Sequence, residues 1–400
     1  MYEVTYYDDE TSLNPIVLHS RYEGGNKLTS GEFHSALNEV STFTFELNYD
    51  NDLFGNIDEF RGRIQIDDTE LGKTIFYGRI LKPVSSMNSD GVYTQKFIAE
   101  DALSFLNDAV LDYFKFAKTT QAYHIFEHII KNYNDRMAPY KQIKVGHCDF
   151  TEQVEVRAFY IGYNKAIEAM RDLVDMFGGY ISSRYEKGTI YIDWLKLPGI
   201  SKDTVIKVGD NILSTSKSIT HDELITRLIP LGKDKESIQA NEGEKVINQR
   251  LTVNDANEGK NYMDDVSLIN IYGVVEGILD LPETTTSVGL FNEGKLFFER
   301  QRAFLSAWEV DVIDLSYIDA RYERIELGNT HPIDNPPIAG VEELAITELS
   351  FDINSPHKIS ITIGETQKSL SDYYFDMQKT EASLRRLGRK VEGFIEGGTV

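Results

Sequence analysis

The chain has 400 residues, 41% of them hydrophobic, so it can bury substantial cores and exceeds what one compact domain usually covers. Its formal net charge of -23 argues against a basic nucleic-acid-binding surface, and a single Cys excludes a disulfide framework or a multi-Cys zinc site. The first ten residues, "MYEVTYYDDE", are acidic and lead into no apolar segment, so neither a signal peptide nor a membrane span is expected.

With 22 Tyr, 21 Phe and only 10 Pro, the residues favour a β-rich protein. Strands are predicted at "NPIVLHS", "TFTFELNY" and "RGRIQIDD". "TIFYGRILKPVSSMNSDGVYTQKFIAE" reads as a long hairpin turned at "NSDG". Residues 1–100 are therefore expected to form a small tube-forming β-barrel, which removes exposed strand edges.

Residues 101–200 read as an α+β domain. "DALSFLND" begins a short helix capped by Asp101, and "TTQAYHIFEHIIKNYN" places Ala122, Phe126, Ile129, Ile130 and Tyr133 on one helical face. "YNKAIEAMRDLVDMFGG" is an amphipathic helix stopped by Gly178 and Gly179, followed by a hairpin, "YISSRYEKGTIYIDWL", turned at Glu186 to Gly188.

Residues 233–262 are polar and turn-rich, the composition of an insertion or exposed loop, and a helix is predicted through "TTTSVGLFNEGKLFFERQRAFL". Strands resume at "AWEVDVIDLSYI", "RYERIELG" and "LAITELSFDINSPHKISITIGE". This order repeats that of the first hundred residues, with "RYERIELGNTHPI" in the place of "RGRIQIDD" as a strand leading into a loop. A second barrel is expected from residues 201–232 and 300–368, interrupted by a loop or α+β segment at 233–299. The fold class is thus β-rich α+β, multidomain, with two small barrels and a C-terminal helix. That helix, at 369–400, carries Leu370, Tyr373, Met377, Leu384, Leu387, Val391 and Phe394 at heptad spacing, with polar Thr380 in the seam, the pattern of a coiled coil between copies.

Chemistry-bearing patterns are sparse. His124, Glu127 and His128 in "HIFEH" match the inverted zincin motif, in which two His one helical turn apart hold zinc and the Glu acts as general base. Because Phe126, Ile129 and Ile130 define the buried face, the motif is expected on a solvated flank instead, with no metal. His147 and Cys148 are strand neighbours that point to opposite faces, so they do not form a nucleophile and base pair. His331 precedes Pro332 with no Ser or Cys signature nearby and is expected in a loop leaving a strand. No catalytic residue or cofactor site is expected.

"VNDANEGKNYMDDVSLINIYGVVEGILDL", with "WEVDVIDLSYIDARYERIELGN" downstream, carries Asn257, Gly259 and Tyr262, then Tyr272 with Gly273, Asp314 with Leu315, and Leu327 with Gly328. With "RLIPLGK" before the insertion, the chain resembles the siphophage and prophage tail-tip family, known as tail-associated lysins or prophage endopeptidase tail proteins. The resemblance implies a baseplate-hub fold, in which two barrels per chain and three chains form a pseudo-six-fold ring. It implies a virion tail-tip protein, made in the host bacterial cytoplasm, that closes the tail tube. Its partners would be the distal tail ring, the tail tube, the tape-measure protein and, indirectly, the host cell wall. Relatives often carry lytic or receptor-binding modules further downstream, so lytic activity is not expected within these 400 residues. The alternative is a zinc peptidase acting on cell-wall peptides through "HIFEH". In a ring around a DNA channel, acidic walls would repel the passing polyanion.

Overall fold

A computed structural model describes residues 2–9, 12, 14–20, 22, 26–87, 91–117, 120–152, 159–216, 224–234, 249–282, 284–306, 308–335 and 340–364. They divide into two compact units, Met1–Ser216 with Trp308–Val400, and Lys217–Ala307.

The first unit opens with β1 (Tyr2–Tyr7), β2 (Ile16–His19), β3 (Ser30–Ala36), β4 (Thr42–Asn48), β5 (Arg63–Asp68), β6 (Lys73–Ile80), β7 (Val84–Met87) and β8 (Tyr93–Asp101). Alternation drives these strands: Phe43, Phe45 and Leu47 of β4 are buried, as are Ile64 and Ile66 of β5. The predicted long hairpin is β6 and β7 together, both paired to β8 and interrupted at Lys82 and Pro83.

An α+β portion follows, with β9 (Phe114–Lys115), α1 (Ala122–Asn134), β10 (Ile143–Cys148), β11 (Tyr160–Ile161), α2 (Ala166–Phe177), β12 (Tyr180–Glu186) and β13 (Thr189–Leu195). Asp101 caps the preceding 3-10 turn, accepting from Leu103 N at 3.1 Å. α1 buries the face expected, Ala122, Phe126, Ile129, Ile130 and Tyr133, and α2 buries Leu173 and Phe177, in one core with Trp194 and the sheet β10-β13-β12.

After β14 (Ile206–Lys207) and β15 (Ile212–Ser216) the chain enters the second unit, with β16 (Arg227–Leu231), β17 (Met263–Asp264), α3 (Val266–Tyr272), β18 (Glu276–Asp280) and α4 (Ser287–Ser306). Its sheet runs β17-β16-β18, around a small core of Leu228, Val253, Met263, Leu290 and Phe298. The chain returns to the first unit with β19 (Trp308–Ile313), β20 (Thr330–Asn335), β21 (Gly340–Asp352) and β22 (Lys358–Gly364).

The β-rich character expected from composition is observed, and the strand sets expected to close as two barrels enter one 14-stranded sheet. Its main path is β15-β19-β22-β21-β3-β4-β8-β6-β5-β1-β2, with β14 on β20, β20 on β21 and β7 on β8. One apolar core serves both sets, from Val4, Phe43 and Phe97 to Trp308, Ile346 and Ile361. The antiparallel order β3-β4-β8-β6-β5 recurs as β15-β19-β22-β21-β20, with the outer strands differing in direction, β1 antiparallel to β5 and β14 parallel to β20, and the two sets are joined where β21 pairs antiparallel with β3.

One predicted strand is absent. Residues 321–328, "RYERIELG", alternate in sequence but pair with no neighbour, and the strand begins at Thr330. Side chains satisfy this backbone instead: Glu323 N donates to Thr204 Oγ1 at 2.8 Å and Ile325 N to Asp314 Oδ2 at 3.2 Å. His331, expected in a loop, lies within β20, fully buried, its Nδ1 2.9 Å from the Thr204 carbonyl. Among the strands not predicted, β3 lies in the middle of the sheet and β1 near one end, between β5 and β2.

Candidate functional site

The join between the repeats is the most constructed feature of the first unit. At its backbone ladder Phe351 faces Phe33 and Asp352 faces Glu32. Phe351 is buried, with its ring 5.2 Å from Phe33 and stacked 5.0 Å from Tyr2 of β1. His34 Nε2 lies 2.6 Å from Glu348 Oε1 across the same ladder.

Beside this ladder lies a cleft of about 1040 Å3 lined from both repeats, by Tyr2, Asp68 and Lys73 on one side and Tyr317, Arg324 and Glu326 on the other. Arg324 is its centre. The guanidinium lies 4.0 Å from the Tyr317 ring centroid, 3.5 Å from the buried Asp68 carboxylate and 2.9 Å from Glu70 Oε2. Lys73 reaches Glu326 beside it. Burial pulls the Arg324 pKa down, but Tyr317, Asp68 and Tyr2 outweigh that, so it lies above its ordinary value. The Tyr2 and Tyr317 hydroxyls meet at 3.1 Å. Burial pushes the Tyr2 phenol up to about 12 and Tyr317 higher as well, which keeps both neutral hydrogen-bonding groups. The cleft therefore holds a paired charge cluster between the repeats.

The same unit anchors the sheet to its α+β portion. Asn38, at φ 64°, accepts from Ile181 N at 2.8 Å and donates to the Gly179 carbonyl at 3.2 Å. Tyr77 of β6 stacks on Tyr185 of β12 at 3.8 Å. Asp101 is buried beneath, accepting from Ser183 Oγ at 3.0 Å, and burial raises its carboxyl to about 7.

The "HIFEH" residues do not converge. His124 and Glu127 are exposed on α1, 3.6 Å apart. His128 packs instead between Phe114 and Phe116, with centroids at 4.3 and 5.1 Å, and burial lowers its pKa. Among the described residues no group of three or more His, Cys, Asp or Glu is placed to hold a metal. His147 is exposed beside Asp149 at 3.0 Å, while half-buried Cys148 packs on the α+β core and burial raises its thiol pKa. The heptad residues Leu370, Tyr373, Met377, Leu384, Leu387, Val391 and Phe394 lie outside the described residues.

The motif residues behind the resemblance have structural tasks. Asn257 Nδ2 donates to the Tyr262 carbonyl at 2.5 Å, closing the turn that carries Gly259. Gly273, at φ 79°, ends α3 with its N–H on the Ile269 carbonyl. Asp314 caps a 3-10 turn and holds Ile325. Gly328, at φ 83°, sits where an added Cβ would lie 2.7 Å from the Pro198 carbonyl oxygen. Sequence reasoning did not single out Arg324, Tyr317, Asp68 or Tyr2. The one local signal is the alternating run "RYERIELG", in which Arg324 takes the polar phase next to Ile325.

The model of the prophage endopeptidase tail family matches residues 201–374, the stretch that contains these motifs. Among solved structures, the chain is similar to the 43 kDa tail protein of prophage MuSo2 from Shewanella oneidensis, at 15% identity and TM-score 0.65, covering 92% of this chain and 100% of that one. A tail protein from Neisseria meningitidis MC58 aligns at 10% identity and TM-score 0.58, over 91% and 96%. The prophage tail protein gp18 from Listeria monocytogenes EGD-e aligns at 13% and 0.52, over 94% and 98%. No curated protein matches the chain. The resemblance read from the sequence is borne out: the chain has the fold of prophage tail proteins over nearly its whole length.

Proposed function

We propose that this chain is a structural hub of a phage or prophage tail tip, three copies of which form a ring with pseudo-six-fold symmetry beneath the tail tube. The observation that carries this reading is the repeated strand order, joined in one chain through β21 and β3. A chain with two similar sheet halves suits a trimer that must match a six-fold partner, because three copies present six similar modules. Within each copy, the Arg324 cluster and the shared apolar core hold the two modules at a fixed angle.

In this role the chain binds the distal tail ring on one side and the tube and tape-measure proteins along its axis. It takes part in attachment to the host cell wall, and genome DNA passes without specific binding. The net charge of -23 fits a wall that repels the polyanion. Each half of the sheet would curl into its own barrel, with the 369–400 helices joining copies at the seam. It would be made in the bacterial cytoplasm and enter the virion without membrane insertion. No helix of the described residues is long and apolar enough to cross a membrane. Enzymatic work on the cell wall would fall to other modules.

The test is electron microscopy of tails carrying an epitope-tagged version of the chain. Antibody label at the end of the tail distal to the capsid is expected. Label along the tube or at the head junction would refute the tip assignment.

A further inference from the structure

The internal repeat identifies a second junction that one chain cannot complete. Matching the repeats through β8 and β22 sets their correspondence. Phe43 faces Ala99 and Phe45 faces Phe97, where the other repeat has Trp308 facing Ile363 and Val310 facing Ile361. On that register Ser85, which faces Gln95, occupies the place of Phe351, which faces Ile359. Gly31, which faces Phe45, corresponds to Thr215, which faces Val310. So β7 stands in the first repeat where the last part of β21 stands in the second, and β15 stands where β3 stands.

In one repeat that position is filled, because β21 pairs with β3. Among the described residues β7 pairs only with β8, and β15 only with β19 apart from an isolated bridge at Ile212. Both strands are sheet edges with free backbone groups. Natural edges are usually blunted by charge, Pro or a covering element. Within the strands there is neither charge nor Pro: β7, just after Lys82 and Pro83, reads "VSSM" and β15 "ILSTS", in a chain 26% charged. Every residue of β7 is exposed, Val84 at 67% and Met87 at 57%, and Leu213 of β15 is 56% exposed. β15 is held firmly from behind, since Asp311 of β19 accepts from Ser214 of β15 and Ser360 of β22.

We propose that β7 of one copy pairs antiparallel with β15 of the next, reproducing between chains the β21 to β3 junction made within each. The occupant of each edge is thus a second copy of this chain. Because the two edges differ, the contact is head-to-tail and closes as a ring. The proposal rests on the ring reading above and specifies its interface and register: Asp352 faces Glu32 within the chain, so Ser86 should face Ser216 of the neighbour. Ile353 N donates to the Gly31 carbonyl and Leu37 N to the Thr347 carbonyl, which makes the Asp352 and Glu32 pair one of the close, non-hydrogen-bonded kind. Its Cα separation of about 4.5 Å lies within the range a disulfide spans.

The experiment uses the full chain with Cys148→Ser as background. Ser86→Cys with Ser216→Cys is compared with Ser85→Cys with Ser216→Cys, in which the side chains point to opposite faces. Oxidised glutathione takes the two thiol protons and two electrons as each disulfide forms, products are read on a non-reducing gel, and solution mass is measured on the unlinked protein. The expected result is a shift from one chain to two and three linked chains for the first pair alone. A trimeric solution mass with no linkage, or equal linkage by both pairs, overturns the junction while leaving the ring intact. A monomeric mass with no linkage overturns both.

Discussion

Replacing Arg324 with Ala should destabilise the first unit by about 3 kcal/mol. The cation–π contact with Tyr317 is worth about 1 to 2 kcal/mol when desolvated. Removing one partner of a buried ion pair typically costs about 3 to 5 kcal/mol, because the remaining charge stays buried. Here the low end applies, since Asp68 retains backbone donors from Glu70 N at 2.9 Å and Leu71 N at 3.2 Å. The half-exposed Glu70 partner adds less than about 1 kcal/mol. Urea unfolding of wild type, Arg324→Ala and Arg324→Lys measures this, with Lys expected to recover only part because it lacks the planar stack on Tyr317. Arg324→Met combined with Asp68→Asn should recover most of the loss, since neither charge is then left buried. A loss below about 1 kcal/mol for Arg324→Ala would refute the claim that this cluster fixes the repeats together.

Phe351→Ala should cost about 3 to 5 kcal/mol, and its effect should be non-additive with Phe33→Ala, because the rings share one contact across the junction; additive losses in a double-mutant cycle would count against it. Asp101 gives a pH dependence. Its folded pKa of about 7 lies above the ordinary 3.8, so its contribution is full below the lower value and lost as pH rises through the upper one. Asp101→Asn should therefore gain about 4 kcal/mol relative to wild type between about pH 4 and pH 8, and a flat difference in unfolding free energy would show that the carboxyl is not perturbed. Zinc titration of the chain should show no stoichiometric uptake; one zinc per chain, lost in His124→Ala, would instead support the peptidase reading.

Much of the fold was legible because burial and period coincide in this chain. Phe43, Phe45 and Leu47 alternate as a half-buried strand must, and Ile129, Ile130 and Tyr133 fall on one helical stripe. The same rule misled at 321–328. There Ile325 is buried and Arg324 serves the cleft, yet Asp314 and Thr204 satisfy the backbone that a strand partner would otherwise take. β1 and β3 lack a plain strand signal for different reasons: "YEVTYY" runs straight into the acidic "DDE", and "SGEFHSA" opens with turn-forming residues. The pairing of β3 with β21 joins distant parts of the chain, and no local pattern in "SGEFHSA" or "GVEELAITELSFD" marks them as neighbours. The Arg324 cluster was hidden for the same reason, since Tyr2, Asp68, Tyr317 and Arg324 come together only once the two repeats share a sheet.

The central claim is that two joined repeats per chain build a ring, and class-averaged electron microscopy of the purified full chain tests it most directly. The account predicts three-fold particles around a central channel or plug, with six similar densities in the ring from the repeated sheet halves. Two-fold particles, or monomers at every concentration, would contradict it.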